Sequence, residues 1–174
     1  LSKYKTYSDL VIVGIPRGGI IIADTIAERL PNAEFGVILS KRLRNPDNSE
    51  SAIGTILHDG SIYMNTLKDD ISENYVQLEI SKQKKNLANQ IAYFGLDGYV
   101  LNSQDKTVIL VDDGADTGST VISTSRSINS QNPKELIIAL PVIPKKIISL
   151  LRDEAEKVEF IRSPKNFESV DKYY

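Results

Sequence analysis

The sequence predicts an α/β protein built on a doubly wound parallel sheet with right-handed crossovers. Three observations lead there. Short, almost unbroken apolar runs recur at 10–15, 35–39, 108–111, 136–142 and 158–161, and a continuous apolar run is how a strand buried on both faces reads. Helical patterns follow several of them, as with Ala23, Ile26, Ala27 and Leu30 after the first and Val121, Ile122, Ser125 and Ile128 after the third. Strand and helix therefore alternate along most of the chain, which is the pattern of crossover units. Finally, two of the runs lead at once into Gly-containing loops, 16–19 and 112–118, each opening a helical pattern.

At 174 residues the chain fits a single domain with room for a real core. An apolar fraction of 41% with 25% charged residues is that of a soluble globular protein, so disorder is not expected. Lys plus Arg number 21 against 23 Asp plus Glu, a formal charge of −2. That near balance offers no global attraction to nucleic acid or to an anionic membrane, and neither is expected as a partner. The absence of Cys excludes disulfides and thiolate metal sites. With one His, His58, a His-based metal cluster or a Ser-His-Asp triad is not expected, and His58 reads as a loop or edge-strand residue without a role. No apolar stretch approaches a membrane span and no signal peptide is visible, so the expected location is cytoplasmic. The chain begins with Leu1 rather than Met, which leaves the true N-terminus open.

Taken in order, the strand at 10–15 runs into Pro16-Arg17-Gly18-Gly19 and then a helix ending before Pro31. Such a loop holds an anion with backbone N–H groups while Arg adds a bidentate charged donor; the plainer reading is a tight turn with a solvated Arg. The second strand, 35–39, carries Lys41 and Arg42 just past its end, where ligands of open α/β sheets bind; a solvated pair is the alternative. Residues 43–54 read as polar and irregular, and 55–63 as a hairpin turning at Asp59-Gly60, so 43–65 is expected to be a flexible loop and hairpin, either a surface excursion or a lid. Asp70-Ile-Ser-Glu73 has capping-box spacing and opens a polar helix to about residue 93, with Ile71, Tyr75, Leu78, Leu87 and Ile91 on its apolar side. Lys82, Lys84 and Lys85 form a solvated face of it, and Gly95-Leu-Asp-Gly98 breaks the chain.

The chemistry concentrates in Val-Ile-Leu-Val-Asp-Asp-Gly-Ala-Asp-Thr-Gly-Ser-Thr, residues 108–120. Asp112 and Asp113 stand where a buried strand would end. Gly114 and Gly118 allow close backbone approach, and Thr117, Ser119 and Thr120 bring hydroxyls to a helix N-terminus. Free N–H groups and hydroxyls there suit a phosphate, whereas the two carboxylates suit sugar hydroxyls or Mg2+ carried by a polyphosphate. A phosphorylated sugar satisfies both halves. A Walker A loop is excluded because no Lys follows Gly118, and Gly-x-Gly-x-x-Gly is absent. A turn whose Asp and Thr residues merely cap the helix is the bland alternative. Beyond it come a strand at 136–142, a helix begun near Pro144, a strand at 158–161, and an aromatic, polar segment at 162–174 that either packs as a small hood or continues onward.

Residues 108–120 resemble the phosphoribosyl pyrophosphate (PRPP) signature of the type I phosphoribosyltransferases: a hydrophobic strand, two acids, a short loop, then Thr-Gly-x-Thr. Pro16-Arg17-Gly18-Gly19 looks like that family's pyrophosphate loop, which often contains a strained or cis peptide. Asn-Pro-Asp-Asn-Ser-Glu-Ser-Ala-Ile-Gly, residues 45–54, is similar to a segment of a little-characterised microbial sub-group, which singles out Glu50 without giving it a role. The resemblance implies a glycosyltransferase of nucleotide metabolism that moves the phosphoribosyl group of PRPP to a nitrogenous base and releases pyrophosphate. It places Asp112 and Asp113 on the ribose hydroxyls and Mg2+, and residues Gly114, Ala115, Asp116, Thr117, Gly118, Ser119 and Thr120 around the 5′-phosphate. Arg17, Gly18, Gly19, Lys41 and Arg42 would face pyrophosphate. Asp116, as in purine-salvage members, would assist proton transfer at the base, which leans the reading towards a purine, although a helix cap remains open. The family's flexible loop would close over PRPP in the 43–65 region, and Phe167, Tyr173 and Tyr174 would belong to the hood. Two alternatives stand beside it: a non-catalytic PRPP or nucleotide-binding regulator on the same fold, and a receiver-like domain, disfavoured because its acidic pair lies early in the chain. The acceptor and the assembly of a homodimer stay open.

Overall fold

The computed structural model describes residues 1–48, 52–64 and 71–174. The apolar runs form one parallel sheet. Its strands are β1 (Leu10–Gly14), β2 (Glu34–Val37), β6 (Thr107–Val111), β7 (Glu135–Val142) and β8 (Lys157–Arg162), in the order β2-β1-β6-β7-β8. Between β2 and β6 the chain forms β3 (Ser40–Arg44), β4 (Ala52–Leu57) and β5 (Ile62–Met64), a separate antiparallel sheet. The helices are α1 (Gly18–Ala27), α2 (Glu73–Phe94), α3 (Ser119–Asn129) and the short α4 (Ile148–Arg152). This is the doubly wound α/β class that the apolar runs predict. The chain divides into two compact units, Leu1–Ile38 with Leu101–Tyr174, and Leu39–Val100. No helix among the described residues is long and apolar enough to cross a membrane.

In the first unit every residue of β1 and β6 is buried, as expected of central parallel strands. Register aligns Ile12 with Ile109 and Ile109 with Ile137, so three β-branched side chains form one row across the sheet. Leu10, Val111 and Ala139 extend that face, and Ala23 of α1 closes it together with Leu30 and Tyr4. Strand order reverses between β1 and β6, because the chain leaves β1 towards β2 on one side and β6 towards β7 and β8 on the other. The C-terminal ends of those two strands therefore flank the crevice where open α/β sheets take ligands.

The second unit corrects several expectations. Lys41 and Arg42 do not follow the second strand of the parallel sheet: β2 stops at Val37, and both cations lie inside β3. Leu43 of β3 is buried while Arg42 and Arg44 are exposed, so the alternation of a one-sided edge strand hides behind a run that reads as charged loop. The polar stretch expected to be irregular over 43–54 is strand at both described ends, with Leu43 opposite Gly54 and Arg44 opposite Ala52 across a bulge. Glu50 lies outside the described residues. The hairpin forms as expected, with Ile56 opposite Ile62 and a turn at Asp59 and Gly60.

In α2 the N-cap is Ser72, whose hydroxyl accepts from Tyr75 N, rather than Asp70, which lies outside the described residues. Its buried side is Glu79, Ile80, Gln83 and Leu87; Leu78, expected inside, is 71% exposed. Polar residues can line this face because they are satisfied. Glu79 Oε1 accepts from Arg44 N at 3.1 Å and from Gln83 Nε2 at 2.8 Å, while the Tyr75 hydroxyl donates to Arg44 O at 3.1 Å. Of the expected apolar side Leu87 is buried and Ile71, Tyr75 and Ile91 are half-buried, so hydropathy misplaces Leu78 and overlooks Glu79 and Gln83. Lys82, Lys84 and Lys85 are exposed, as predicted. In urea denaturation, Ile80→Ala should lower the unfolding free energy by about 2–4 kcal/mol, whereas Leu78→Ala should stay within about 0.5 kcal/mol; equal losses would put Leu78 back in the core.

Candidate functional site

The site is built by the two loops that leave β1 and β6 side by side. Gly14 pairs with Val111 at the last position of the ladder, and Ile15 N donates to Val111 O at 2.9 Å, so the loops are still hydrogen-bonded as they depart. The Pro16–Arg17 peptide is cis, within the loop where the resemblance implies such a bond. Arg17 holds the N-cap position of α1 with its side chain exposed. Gly18 and Gly19 pass directly over the acidic pair. A Cβ on Gly18 would collide with the Asp113 carboxylate, and one on Gly19 would lie 2.6 Å from Val111 O and 2.8 Å from Asp112 Cα. Both positions need Gly for proximity, and the sequence reading of close backbone approach applies here more strictly than at Gly114.

Asp112 and Asp113 are adjacent and half-buried, and Asp113 N donates to Asp112 Oδ1 at 2.9 Å. Burial pushes the Asp112 carboxyl up to about 8 from 3.8; the Asp113 N–H works against that shift and the Asp113 charge adds to it. A desolvated carboxyl of this kind gains from any cation or sugar hydroxyl that replaces the lost water. Among the described residues no group of three or more His, Cys, Asp or Glu is arranged to hold a metal. Two neighbouring carboxylates with a phosphate-bearing ligand are nevertheless the usual donor set for Mg2+, which keeps waters and takes its other oxygens from substrate.

The loop then reaches α3 through Gly118, whose φ of 77° is left-handed and favours Gly. The first bond of α3 runs from Ile122 N to Gly118 O at 2.8 Å, so the amides of Ser119, Thr120 and Val121 precede the ladder. Thr117 Oγ1 lies 3.1 Å from Ser119 Oγ and accepts from Ser119 N at a long 3.4 Å. Amides and hydroxyls thus converge at the positive end of an 11-residue helix, an arrangement suited to a phosphate. The N-cap of α3 is Gly118 and the side chain bonded to its first amide is that of Thr117, so helix capping does not explain Asp116.

The sequence names these groups and offers 162–174 as a hood or a continuation, but not the contacts by which that segment meets the loop. Beyond β8 a 3-10 turn, Val170–Tyr173, lies against the loop: Val170 N donates to Asp116 Oδ1 at 3.0 Å, and the Tyr174 hydroxyl donates to Asp113 O at 2.6 Å. Phe167 and Tyr173 stack with centroids 5.9 Å apart. The backbone donor at Val170 has no sequence signal, because any residue but Pro supplies it. Lys41 and Arg42 belong to the second unit and lie on β3. His58, also in that unit, accepts from Leu39 N through Nδ1 at 3.2 Å and stacks on Tyr99, and burial lowers its pKa; these are structural contacts, in line with the absence of an assigned role.

The raised Asp112 value sets a pH dependence whose sign follows from linkage. Below about pH 4 the carboxyl is protonated folded or unfolded and has no effect; between 4 and 8 the unfolded chain ionises first, so stability falls as pH rises, levelling off above the folded pKa. Asp112→Asn, which still offers Oδ1 to Asp113 N, escapes that loss. Without added divalent cation its melting temperature should gain on the unaltered protein steadily from pH 4 to pH 8, and a pH-independent difference would show that Asp112 is not desolvated.

Residues 1–173 match the family described as the phosphoribosyl transferase domain. Two curated proteins of Mycobacterium tuberculosis, from strains CDC 1551 and H37Rv, provisionally named phosphoribosyl transferases, are each 27% identical over 95% of this chain; the chain spans 38% of their length. Among solved structures, TT1426 from Thermus thermophilus superposes with a TM-score of 0.80 at 26% identity, covering 97% of this chain and 81% of that one. A purine phosphoribosyltransferase from Pyrococcus horikoshii Ot3 aligns at 0.51 and 17% identity over 96% of this chain and 86% of its own. A hypoxanthine phosphoribosyltransferase from Staphylococcus aureus gives the same score and identity over 95% and 68%, and at this distance both show the shared fold alone. With the family match covering nearly its whole length, and with paired loops and acids at the switch point of its sheet, the chain belongs to the phosphoribosyl transferase domain family.

Proposed function

We propose that the protein is a PRPP-dependent phosphoribosyltransferase, an enzyme that moves the 5-phosphoribosyl group from PRPP to a nitrogenous base and releases pyrophosphate. The observation that carries this reading is the packing of Gly18 and Gly19 against Asp113 and Asp112 at the reversal of strand order, in the chain segment that leads on to the amides and hydroxyls opening α3. The 5′-phosphate is assigned to the amides and hydroxyls of residues 115–120, the ribose hydroxyls to Asp112 and Asp113, and the pyrophosphate to the amides of Gly18 and Gly19 with Arg17. The pyrophosphate contact of Lys41 and Arg42 rests on the resemblance alone. Mg2+, when bound, offsets charge on the leaving pyrophosphate, and Asp112 and Asp113 are the residues to hold it.

In this chemistry the bond from the anomeric carbon to the pyrophosphate oxygen breaks, a bond to a ring nitrogen forms, and that nitrogen loses its proton. The sugar carbon is cationic in between, so the protein's tasks are to fix the phosphate end, hold the leaving group and exclude water. The anchored 5′-phosphate supplies positioning, and Asp112 and Asp113 fix the ring through its hydroxyls. The lean towards a purine comes from the resemblance alone, in which purine-salvage members often have Asp at the step of Asp116, and it does not depend on the part that Asp116 plays.

Calorimetric titration of PRPP with Mg2+ should give binding that Asp112→Asn with Asp113→Asn abolishes, followed by pyrophosphate release with at least one base. Binding without release from any base would favour a non-catalytic PRPP-binding regulator. No binding to the unaltered chain would overturn both.

A further inference from the structure

We infer that Asp116 is a positioning residue that anchors the C-terminal segment on the phosphate loop, and not the group that exchanges a proton with the acceptor. Three contacts join the two segments. The Asp116 carboxylate accepts from the Val170 amide, 54 residues further along, at 3.0 Å. The Tyr174 hydroxyl donates to the Asp113 carbonyl at 2.6 Å. Between them the Val170 side chain seats on Gly114, where an added Cβ would lie 2.8 Å from Val170 Cγ2 and 2.9 Å from Val142 O. Residues 113, 114 and 116 of one loop thus each meet the same turn of chain.

The contacts themselves define the job. An amide donor asks of its partner only an oxygen, which a carboxylate and a carboxamide both supply, whereas proton exchange asks for an ionisable group. Asp116 is exposed, and the hydrogen bond that its carboxylate makes goes to the Val170 amide and not to the end of a helix. What it does hold is the turn that follows the stacked Phe167 ring and carries Tyr173, placing that aromatic pair through Val170. The consequence for turnover rests on the transferase reading above: loss of the anchor loosens the segment beside the phosphate loop, weakening acceptor use more than the chemical step.

The test separates the anchor from the reaction. Hydrogen–deuterium exchange over 163–174 is measured on the full chain, unaltered and as Asp116→Asn, Asp116→Ala and Tyr174→Phe. Exchange should quicken about five-fold in Asp116→Ala and Tyr174→Phe, the effect of one hydrogen bond, and stay near the unaltered rate in Asp116→Asn. Pyrophosphate release from PRPP, with adenine, guanine and hypoxanthine as acceptor probes, should then show the acceptor KM raised in Asp116→Ala and in Tyr174→Phe, and raised less in Asp116→Asn than in Asp116→Ala. An Asp116→Asn protein that keeps the segment protected yet loses kcat as fully as Asp116→Ala would overturn the inference in favour of proton transfer. Unchanged exchange in Asp116→Ala would overturn the anchor itself. If the unaltered chain neither binds PRPP nor releases pyrophosphate, the transferase reading falls, and the exchange data still decide whether Asp116 holds the segment.

Discussion

The contact between the loops after β1 and β6 is the constraint on which the candidate site depends. Parallel pairing brings the two strand ends level, and the bond from Ile15 N to Val111 O carries that pairing one residue into the loops. The acids cannot then avoid the first loop; they can only be accommodated by it, which is why Gly18 and Gly19 have no room for a side chain. The same closeness removes water from Asp112. A carboxyl desolvated by backbone, with the Asp113 N–H as a partner, is held in a costly state that a ligand bringing hydroxyls or a cation relieves. Packing in the fold and readiness for a ligand are two consequences of one approach.

Much of this was legible in the sequence, because the residues concerned have few alternatives. The unbroken apolar runs of β1 and β6 can hardly be anything but central strands, and two acids followed by Gly and hydroxyls at a helix start leave few chemistries open. The exact crowding at Gly18 and Gly19 was not legible, since it depends on the pairing of strands far apart in the chain.

Where the reading failed, the governing interaction lay outside the local pattern. Lys41 and Arg42 look like residues beyond a strand because their own strand, β3, is an edge that buries only Leu43. Glu79 and Gln83 look like surface residues because the groups that satisfy them include the backbone of Arg44, at the far side of a loop. Hydropathy and spacing report on side chains, and each miss turns on backbone hydrogen bonding.

The strength of the contacts over the loop also bears on how such a site works. The hydrogen bonds from Val170 and Tyr174 are exposed, and exposed bonds of this type contribute roughly 0.5–1.5 kcal/mol each. Two of them with one apolar seat leave a segment that is ordered most of the time yet opens at small cost, at the low end of local stability within a domain. If the protein carries out the proposed transfer, the cationic sugar would need cover from water, while substrate and product would need a way in and out. A segment buried in the core would satisfy only the first demand and a free one only the second; weak surface bonds to the backbone and side chain of the phosphate loop meet both.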